Sequence, residues 1–384
     1  MVLFPQFKNF LRKFSRTAPI TEEFAIAHDY LTQRGGAERV VLAMHKAFPE
    51  ATIYTTLYDP ENTYPEFKDA KVVVSPLNKI GVFRKNHRLA LPVLPLASSF
   101  LRVPARKTLV SSTGWAHGFN FSGASLIYCH SPARWLYLSD EYLGNSTHPL
   151  IGVALKVLRP ALIHWDKRAA QKAGPYVGNS TVIRQRIFDV YGKNAEIIFP
   201  PYSTSSTDVT EPIAGLEEFM ADGDYFLVVS RLLPYKNVAD VVQAFNRLGQ
   251  KLLIIGSGPM AQELKKMAAD NIRFAHNVSD AQLSGAYAHC RALLAVSYED
   301  FGLTPLEAGS YGKPTIALRA GGYLDTIQEN VNGCFIEKPT QENIYHAVDT
   351  FNPEQWDAQH IREYIQKFSE KQFVRQLRQK LASL

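Results

Sequence analysis

Two glutamates, Glu299 and Glu307, enclose seven residues whose types suit the binding of a sugar nucleotide. Gly302 lets the backbone approach a ligand, and Thr304 and Pro305 suit the cap and the first turn of a helix. Free amides at such a helix start attract an anion such as a diphosphate, and carboxylates accept hydrogen bonds from hydroxyls. An isolated pair of glutamates at this spacing is typical of a surface turn, but the glycine, the proline and the flanking elements favour a site.

The elements around this segment would position both carboxylates. The apolar run Ala292–Ser297 predicts a buried strand, and Leu306–Gly312 predicts a short helix closed by glycine. Glu299 would then lie at the end of the strand, and Glu307 one turn into the helix.

Two cations are expected at the same edge of the sheet. Arg231 follows the strand predicted for Tyr225–Ser230, and Lys236 opens the next helix. A reaction in which a diphosphate leaves needs fixed positive charge, which these side chains would supply. Two solvated surface cations are the alternative, and their pairing with the glutamates disfavours it.

The first half of the chain offers two further candidates. Gly35 and Gly36 follow a strand predicted for Phe24–Leu31 and precede an amphipathic helix, which predicts a second turn facing an anion or a sugar. The pattern lacks the G-x-G-x-x-G dinucleotide fingerprint, and an ordinary tight turn is the alternative. His130 follows the strand predicted for Leu126–Cys129, at the edge where open α/β sheets bind ligands, although a structural histidine is equally compatible.

Composition narrows the class of protein. The 384 residues are 46% apolar and 20% charged, which is ordinary for two globular domains. Cys129, Cys290 and Cys334 stand alone, which predicts no disulfide framework, no metal cluster and a reducing compartment. We find no signal peptide, no H-E-x-x-H, no Walker lysine motif and no metal-binding D-x-D. The longest apolar stretch, Leu89–Leu101, is too short to span a bilayer.

Positive charge is concentrated in the first half, where no carboxylate occurs between Asp69 and Asp140. Residues 4–16 predict a short basic helix with an aromatic face, suited to an anionic membrane surface. A helix packed on its own domain or a frayed terminus is the alternative. The basic and apolar segment Leu77–Lys107 is predicted to form helices or loops and an acceptor or membrane surface, unless it is a solvated face. The cationic stretch lacks the stacking pattern of a nucleic-acid binder, so no nucleic-acid partner is expected.

Alternating apolar strands and helices predict an α/β protein with parallel sheets. We predict an N-terminal domain over residues 1–200 with a basic lead at 1–20, and a C-terminal domain over 201–352. A linker begins at Pro200 and runs to Thr210. Residues 353–384, rich in helix-favouring residues from Glu354 onward, are predicted to form one long helix that crosses back to the N-terminal domain.

These motifs together resemble the retaining family 4 glycosyltransferases with the GT-B fold, in which two Rossmann-like domains with parallel sheets face each other across a cleft. The resemblance runs from about Phe24 to Phe335 and is strongest at Ser230–Asn237, Gly256–Pro259 and Ser297–Pro314. Two further segments are similar to bacterial mannosyltransferases of the O-antigen and exopolysaccharide type: His28–Glu38 and Tyr128–Pro132.

The resemblance assigns roles in the C-terminal domain. Arg231 and Lys236 would bind the donor diphosphate, and Glu307 would hold the nucleotide ribose. Glu299 would contact the hydroxyls of the donor sugar. Val278 would lie beside the base. Backbone amides are expected to come from the three residues that follow in the glutamate segment: Phe301, Gly302 and Leu303.

In the N-terminal domain, which would bind the acceptor, Gly35 and Gly36 would let a loop approach the diphosphate, and His130 would bind the donor sugar near its anomeric carbon. The catalytic set implied by the resemblance is His130, Arg231, Lys236 and Glu299. The acceptor hydroxyl would attack from the face that the diphosphate leaves, and the leaving phosphate would take its proton. No metal, cofactor or protein nucleophile would be required.

The resemblance therefore implies transfer of mannose from GDP-mannose to a lipid-linked or glycan acceptor, by a cytoplasmic protein peripherally associated with the inner face of the membrane. A UDP-sugar donor carrying glucose, GlcNAc or glucuronate remains an alternative, and so does a non-catalytic sugar-nucleotide-binding protein at the membrane. Tyr323 and Asp325 depart from the family, whose members often carry a small residue and Glu there. The identity of the sugar is therefore less constrained than the reaction.

Overall fold

A computed structural model describes residues 19–138, 149–202 and 209–384, and it describes the backbone but not the side chains of residues 149–156. The helix predicted at residues 4–16 and most of the predicted linker lie outside these ranges. The chain divides into two compact units, residues 1–200 with 373–384, and residues 201–372.

The first unit contains a parallel sheet of seven strands, flanked by a separate parallel pair. The strands in chain order are β1 (Glu22–His28), β2 (Thr52–Thr55), β3 (Val72–Val74), β4 (Arg102–Val103), β5 (Ala105–Ser112), β6 (Asn120–Phe121), β7 (Ala124–Cys129), β8 (Tyr176–Gly178) and β9 (Ala195–Ile197). The spatial order is β3-β2-β1-β5-β7-β8-β9, with β4 paired to β6 apart from this sheet. The chain moves outward from β1 to β3 and then returns to β5, so the strand order reverses between β1 and β5.

Helices cover this sheet on both faces, which leaves two apolar layers in the unit. The helices described here are α1 (Gly36–Ala47), α2 (Gly81–Lys85), α3 (Leu94–Phe100), α4 (Arg134–Tyr137), α5 (Pro149–Lys172) and α6 (Thr181–Tyr191). The prediction of helices or loops for Leu77–Lys107 is wrong at the C-terminal end of the segment, because β4 and the start of β5 lie there. β4 has only two residues, and an alternating apolar pattern needs more residues than that to indicate a strand.

The second unit contains a parallel sheet of six strands over one large apolar core. These strands are β10 (Tyr225–Val229), β11 (Lys251–Ile255), β12 (Ile272–Ala275), β13 (Ala292–Ala295), β14 (Thr315–Leu318) and β15 (Gly333–Ile336). Their spatial order is β12-β11-β10-β13-β14-β15, so the order reverses between β10 and β13. Ligands bind at such reversal points in open parallel sheets, beyond the carboxyl ends of the strands.

The remaining helices alternate with these strands and then continue to the end of the chain. They are α7 (Glu217–Met220), α8 (Val238–Leu248), α9 (Ala261–Met267), α10 (Asp280–His289), α11 (Thr304–Ser310), α12 (Tyr323–Thr326), α13 (Gln341–Asp349), α14 (Ala358–Ile365) and α15 (Glu370–Ala382). None of the helices in the described ranges combines the length and the hydropathy that crossing a bilayer requires.

The single long helix predicted after Glu354 is wrong. Two helices, α14 and α15, are separated by a 3-10 turn at Gln366–Phe368 and by Ser369, whose ψ of 155° is extended. An extended residue cannot continue an α-helix, so the chain direction changes there. The apolar side of α15, formed by Phe373, Leu377 and Leu381, is buried in the first unit.

Candidate functional site

The predicted cation and carboxylate of the second unit lie at its reversal point. Arg231 follows β10 and Glu299 follows β13, and these strands are neighbours in the sheet. Their carboxyl ends therefore meet at one edge, which is the expected position of a ligand. The sequence predicted this convergence from the two strand ends alone.

Lys236 and Glu299 form an ion pair. The Nζ of Lys236 bonds to Glu299 Oε1, and Ser297 donates to the same oxygen at 2.7 Å. The side chain of Lys236 is 9% exposed and that of Glu299 is 27% exposed, so the carboxylate is the more accessible partner. Asn237, in left-handed conformation with φ 56°, ties this turn to β13 by donating to the Val296 carbonyl at 2.9 Å.

Arg231 is exposed beside this pair. Its Nη2 donates to the hydroxyl of Tyr235 at 3.3 Å, and Lys236 Nζ lies 5.0 Å from the centroid of the same ring. Tyr235 therefore separates two positive groups at one sheet edge. Such an arrangement can hold an anion with two phosphate groups, because each cation can contact one of them.

The start of α11 differs from the prediction. Leu303, not Thr304, is the N-cap, and no side chain caps the helix. Thr304 is the first helical residue and Pro305 the second. Because the Thr304 hydroxyl does not cap the helix, it is free to form a hydrogen bond with the hydroxyl of Tyr323. Gly302 has φ 84°, a left-handed conformation that glycine adopts without cost.

Glu307 lies in α11, half-buried, as the sequence placed it. The hydroxyl of Tyr287 on α10 donates to its Oε2 at 2.8 Å. Tyr287 is twenty residues from Glu307 in sequence, and no local pattern connects the two. Sequence reasoning therefore missed this partner, and it missed Ser297, whose only signal is a polar residue ending an apolar strand.

Three other predicted donor residues occupy the same unit. Phe301 is buried, and its ring lies 6.0 Å from that of Phe368. Leu303 is partly buried at the start of α11. Val278 packs against the core on the loop between β12 and α10, at the carboxyl edge of the sheet but two strands away from β10.

In the first unit, three polar residues stand in a row across the ends of β1, β5 and β7. His28 Nδ1 donates to the Ser111 carbonyl at 3.0 Å, and the Ser111 hydroxyl contacts His130 Nε2 at 2.8 Å. Burial lowers the pKa of His130 to about 3, and the nearby His28 and Arg134 add to the effect. His130 is therefore a neutral imidazole at physiological pH, able to exchange hydrogen bonds without carrying charge.

Asp29 fixes the loop next to this row. Its buried carboxylate accepts hydrogen bonds from the Trp115 amide at 2.8 Å, from the Ala116 amide at 2.6 Å, and from both the amide and the hydroxyl of Thr113. A carboxylate with so many donors is strongly held in place. The backbone after β5 is therefore anchored to the end of β1.

Gly35 is the N-cap of α1, and Gly36 is its first residue. A Cβ at Gly35 would overlap the carboxylate of Glu38, which folds back over the helix start. Burial raises the pKa of Glu38, and the nearby His28 opposes this. The same carboxylate hydrogen-bonds the amide of Glu38, so the first turn of this helix already has an anionic partner. Among the described residues, no group of three His, Cys, Asp or Glu is placed to hold a metal ion.

Comparison with known proteins agrees with this geometry. A family model described as glycosyl transferases group 1 matches residues 217–368, which contain Arg231, Lys236, Glu299 and Glu307. An alpha-1,3/1,6-mannosyltransferase (ALG2) of Homo sapiens is 25% identical over 364 residues, covering 83% of this chain and 84% of that protein. A GDP-mannose-dependent alpha-(1-6)-phosphatidylinositol monomannoside mannosyltransferase of Mycolicibacterium smegmatis is 25% identical, covering 84% and 87%.

A similar fold occurs in solved structures. Anabaena HepE, in complex with UDP and glucose, superposes with a TM-score of 0.68 at 15% identity, covering 94% of this chain and 100% of that one. Its two-domain GT-B architecture matches the two parallel sheets found here. Family model, relatives and fold agree: residues 217–368 match the glycosyl transferases of group 1, the chain as a whole is similar to GT4-type mannosyltransferases, and it is a hexosyltransferase with the GT-B fold.

Proposed function

We propose that this chain transfers mannose from GDP-mannose to a lipid-linked or glycan acceptor at the cytoplasmic face of a membrane. The names of the relatives support mannose, and the name of the Mycolicibacterium relative supports GDP-mannose. The observation that carries the proposal is the pairing of Lys236 with Glu299 at the reversal point, beside Arg231. Those groups suit a donor with a diphosphate next to a sugar.

Each group has a part in the proposed reaction. Arg231 and Lys236 bind the diphosphate and stabilise the charge that grows on it as the bond to the sugar breaks. Glu299 accepts hydrogen bonds from the sugar, and Glu307 accepts them from the ribose. Binding of the diphosphate lets Lys236 share its charge between Glu299 and the phosphates.

The acceptor oxygen bonds to the anomeric carbon on the face from which the diphosphate departs, so the α configuration is retained. The acceptor's proton passes to an oxygen of the leaving phosphate, and no metal or cofactor is part of this proposal. The remaining donor contacts are proposed for the backbone near Phe301, Gly302 and Leu303, for the loop at Val278, and for three residues of the first unit: Gly35, Gly36 and His130.

The donor is tested by thermal shift and turnover with GDP-mannose, UDP-glucose, UDP-GlcNAc and UDP-glucuronate. We expect GDP-mannose to raise the melting temperature most and to be turned over, because only a ligand of the native state stabilises it. Glu307→Ala should raise the KM for the donor at least about tenfold, since it removes a charged acceptor. Glu218→Ala, an exposed glutamate of the same unit, is the matched control.

The outcomes separate the alternatives. A shift and turnover with one of the UDP-sugars instead would overturn GDP-mannose as the donor. Binding of a donor without turnover in the presence of acceptor lipids would favour the non-catalytic protein. An unchanged KM in Glu307→Ala would contradict the role of Glu307.

The membrane part of the proposal is supported by one surface of the first unit, residues 79–100. Its apolar side chains are exposed at five positions along α2, α3 and the turns beside them: Ile80, Val82, Val93, Leu96 and Phe100. Lys79 and Lys85 are exposed there too. Exposed apolar groups next to cations suit the interface of an anionic bilayer. The neighbouring helix α5, joined to α3 by a 2.8 Å hydrogen bond from Trp165 to Ser99, exposes Val157.

Vesicle sedimentation tests this surface. We expect binding to vesicles containing phosphatidylglycerol, little binding to pure phosphatidylcholine, and weakening by salt. Leu96→Ser combined with Phe100→Ser should reduce the binding several-fold, because both side chains leave water on docking. Phe188→Ser, an exposed phenylalanine on α6, is the matched control. Equal binding of all variants, or no preference for the anionic lipid, would remove the surface from the proposal.

A further inference from the structure

Tyr323, the first residue of α12, is buried beside the donor site. Its ring occupies the space where a side chain at position 302 would be, so a Cβ on Gly302 would overlap it. Its hydroxyl lies 3.4 Å from Ser297 Oγ and also hydrogen-bonds the side chain of Thr304. Tyr323 thus contacts both ends of the segment that carries Glu299.

The two glycines before Tyr323 pack against the same segment. The Gly322 amide donates to the Glu299 carbonyl at 2.8 Å. A Cβ at Gly321 would overlap that carbonyl, and a Cβ at Gly322 would overlap the backbone of Phe301. Backbone lies directly on backbone here, so the position of residues 299–302 depends on the turn that leads into Tyr323.

A chain of hydroxyls connects Tyr323 to the Glu299 carboxylate. Tyr323 contacts Ser297, and Ser297 donates to Glu299 Oε1, the oxygen that also pairs with Lys236. No residue in the described ranges donates a hydrogen bond to the other oxygen, Oε2. One side of the carboxylate is therefore held by the protein, and the other remains for a hydroxyl of the substrate.

We propose that Tyr323 is a positioning residue for Glu299. It holds the loop through its ring and orients the carboxylate through Ser297, so that Oε2 is presented to the donor sugar. This inference rests on the proposed function, in which Glu299 contacts that sugar. Burial, with the nearby charge of Glu299, raises the pKa of the Tyr323 hydroxyl, which therefore stays protonated as a hydrogen-bond donor.

The test is Tyr323→Phe, which keeps the ring over Gly302 and removes only the hydroxyl. We expect kcat to fall about tenfold while the KM for the donor changes less than about twofold, because the diphosphate contacts remain. Ser297→Ala should have the same effect because it breaks the same chain of hydroxyls, and the double variant should be no slower than either single one. Non-additivity of this kind is the mark of residues acting through one group.

The decisive comparison places Tyr323→Phe in a Glu299→Gln background. There, kcat should change less than about twofold, since an amide already disturbs the hydrogen bonds that Tyr323 supports. Tyr225→Phe is the control for a merely structural effect. Tyr225 is equally buried, its hydroxyl donates to the Ala286 carbonyl at 2.9 Å, and it begins β10 at the opposite edge of the sheet. That variant should lower the melting temperature and leave turnover unchanged.

Failures of the two proposals are distinguishable. If Glu299→Gln retains full turnover, the proposed role of Glu299 is wrong. If Glu299→Gln is impaired but Tyr323→Phe is fully active, or slows the reaction equally in both backgrounds, the positioning role alone is overturned. Should either tyrosine variant fail to fold, Ser297→Ala in the two backgrounds gives the same comparison.

Discussion

Hydroxyl groups orient both carboxylates of the second unit. Ser297 donates to Glu299, and Tyr287 donates to Glu307. A carboxylate held by a neutral donor keeps its charge and loses rotational freedom, so its acceptor oxygens are arranged before the ligand arrives. Such preorganisation lowers the cost of ordering these side chains when a donor binds.

Tyr287→Phe is expected to raise the KM for the donor about fivefold and to leave kcat nearly unchanged. It removes one hydrogen bond, worth about 1 kcal/mol, from the carboxylate proposed to hold the ribose, which is distant from the bond that breaks. Steady-state kinetics with varied donor measure both constants. Tyr311→Phe is the control. Tyr311 stacks on Tyr287 with ring centroids 6.1 Å apart, and this variant leaves the hydrogen bond from Tyr287 to Glu307 intact. A fall in kcat at constant KM would contradict this division of roles.

At the level of elements, most strands were predictable, whereas β4, β6 and β15 and the exact ends of the helices were not. Thr315–Leu318 became a strand with the predicted bounds, because a parallel strand covered on both faces needs side chains that can be buried at nearly every position. Ile272–Ala275 did so too, although the exposed Arg273 interrupts its apolar residues. Since residues after such strands lie at one edge, the grouping of Arg231, Lys236 and Glu299 could be predicted too.

The errors arose where a tertiary partner decided the local structure. Thr304 has the sequence signature of an N-cap, but its hydroxyl contacts Tyr323 and the helix begins after Leu303. The break between α14 and α15 lies in a stretch of helix-favouring residues, where propensity gives no stop signal. It coincides with the passage from the second unit to the first, since residues 373–384 belong to the first unit.

In the molecule as a whole, three histidines with a lowered pKa lie in the first unit. Burial is the main cause for His45, for His87, whose pKa falls to about 4, and for His130, whose pKa falls to about 3. The unfolded chain protonates histidine near pH 6.5, so it binds more protons than the native unit below that pH. The stabilising contribution of these neutral imidazoles is therefore lost as the pH falls from about 6.5 through the folded pKa values.

Glu38, also in the first unit, acts in the opposite direction. Burial raises its pKa above the ordinary value, so its contribution is complete at low pH and is lost as the pH rises through the raised value. The histidines outnumber it, so the net expectation for the first unit is a decline in stability on acidification below about pH 6.5.

His87→Phe isolates one part of this effect. The ring of His87 stacks on Tyr30 with centroids 4.0 Å apart, and phenylalanine keeps an aromatic ring there while removing the titrating group. Between pH 6 and about 4.5, we expect the slope of unfolding free energy against pH to become shallower by up to about 1.4 kcal/mol per pH unit, the value for one proton. Urea unfolding followed by tryptophan fluorescence measures it, because three of the four tryptophans, Trp115, Trp135 and Trp165, belong to the first unit. The control is His360→Phe, at an exposed position in the second unit, which should leave the slope unchanged. If His87→Phe also left the slope unchanged, burial of His87 would not control the acid response.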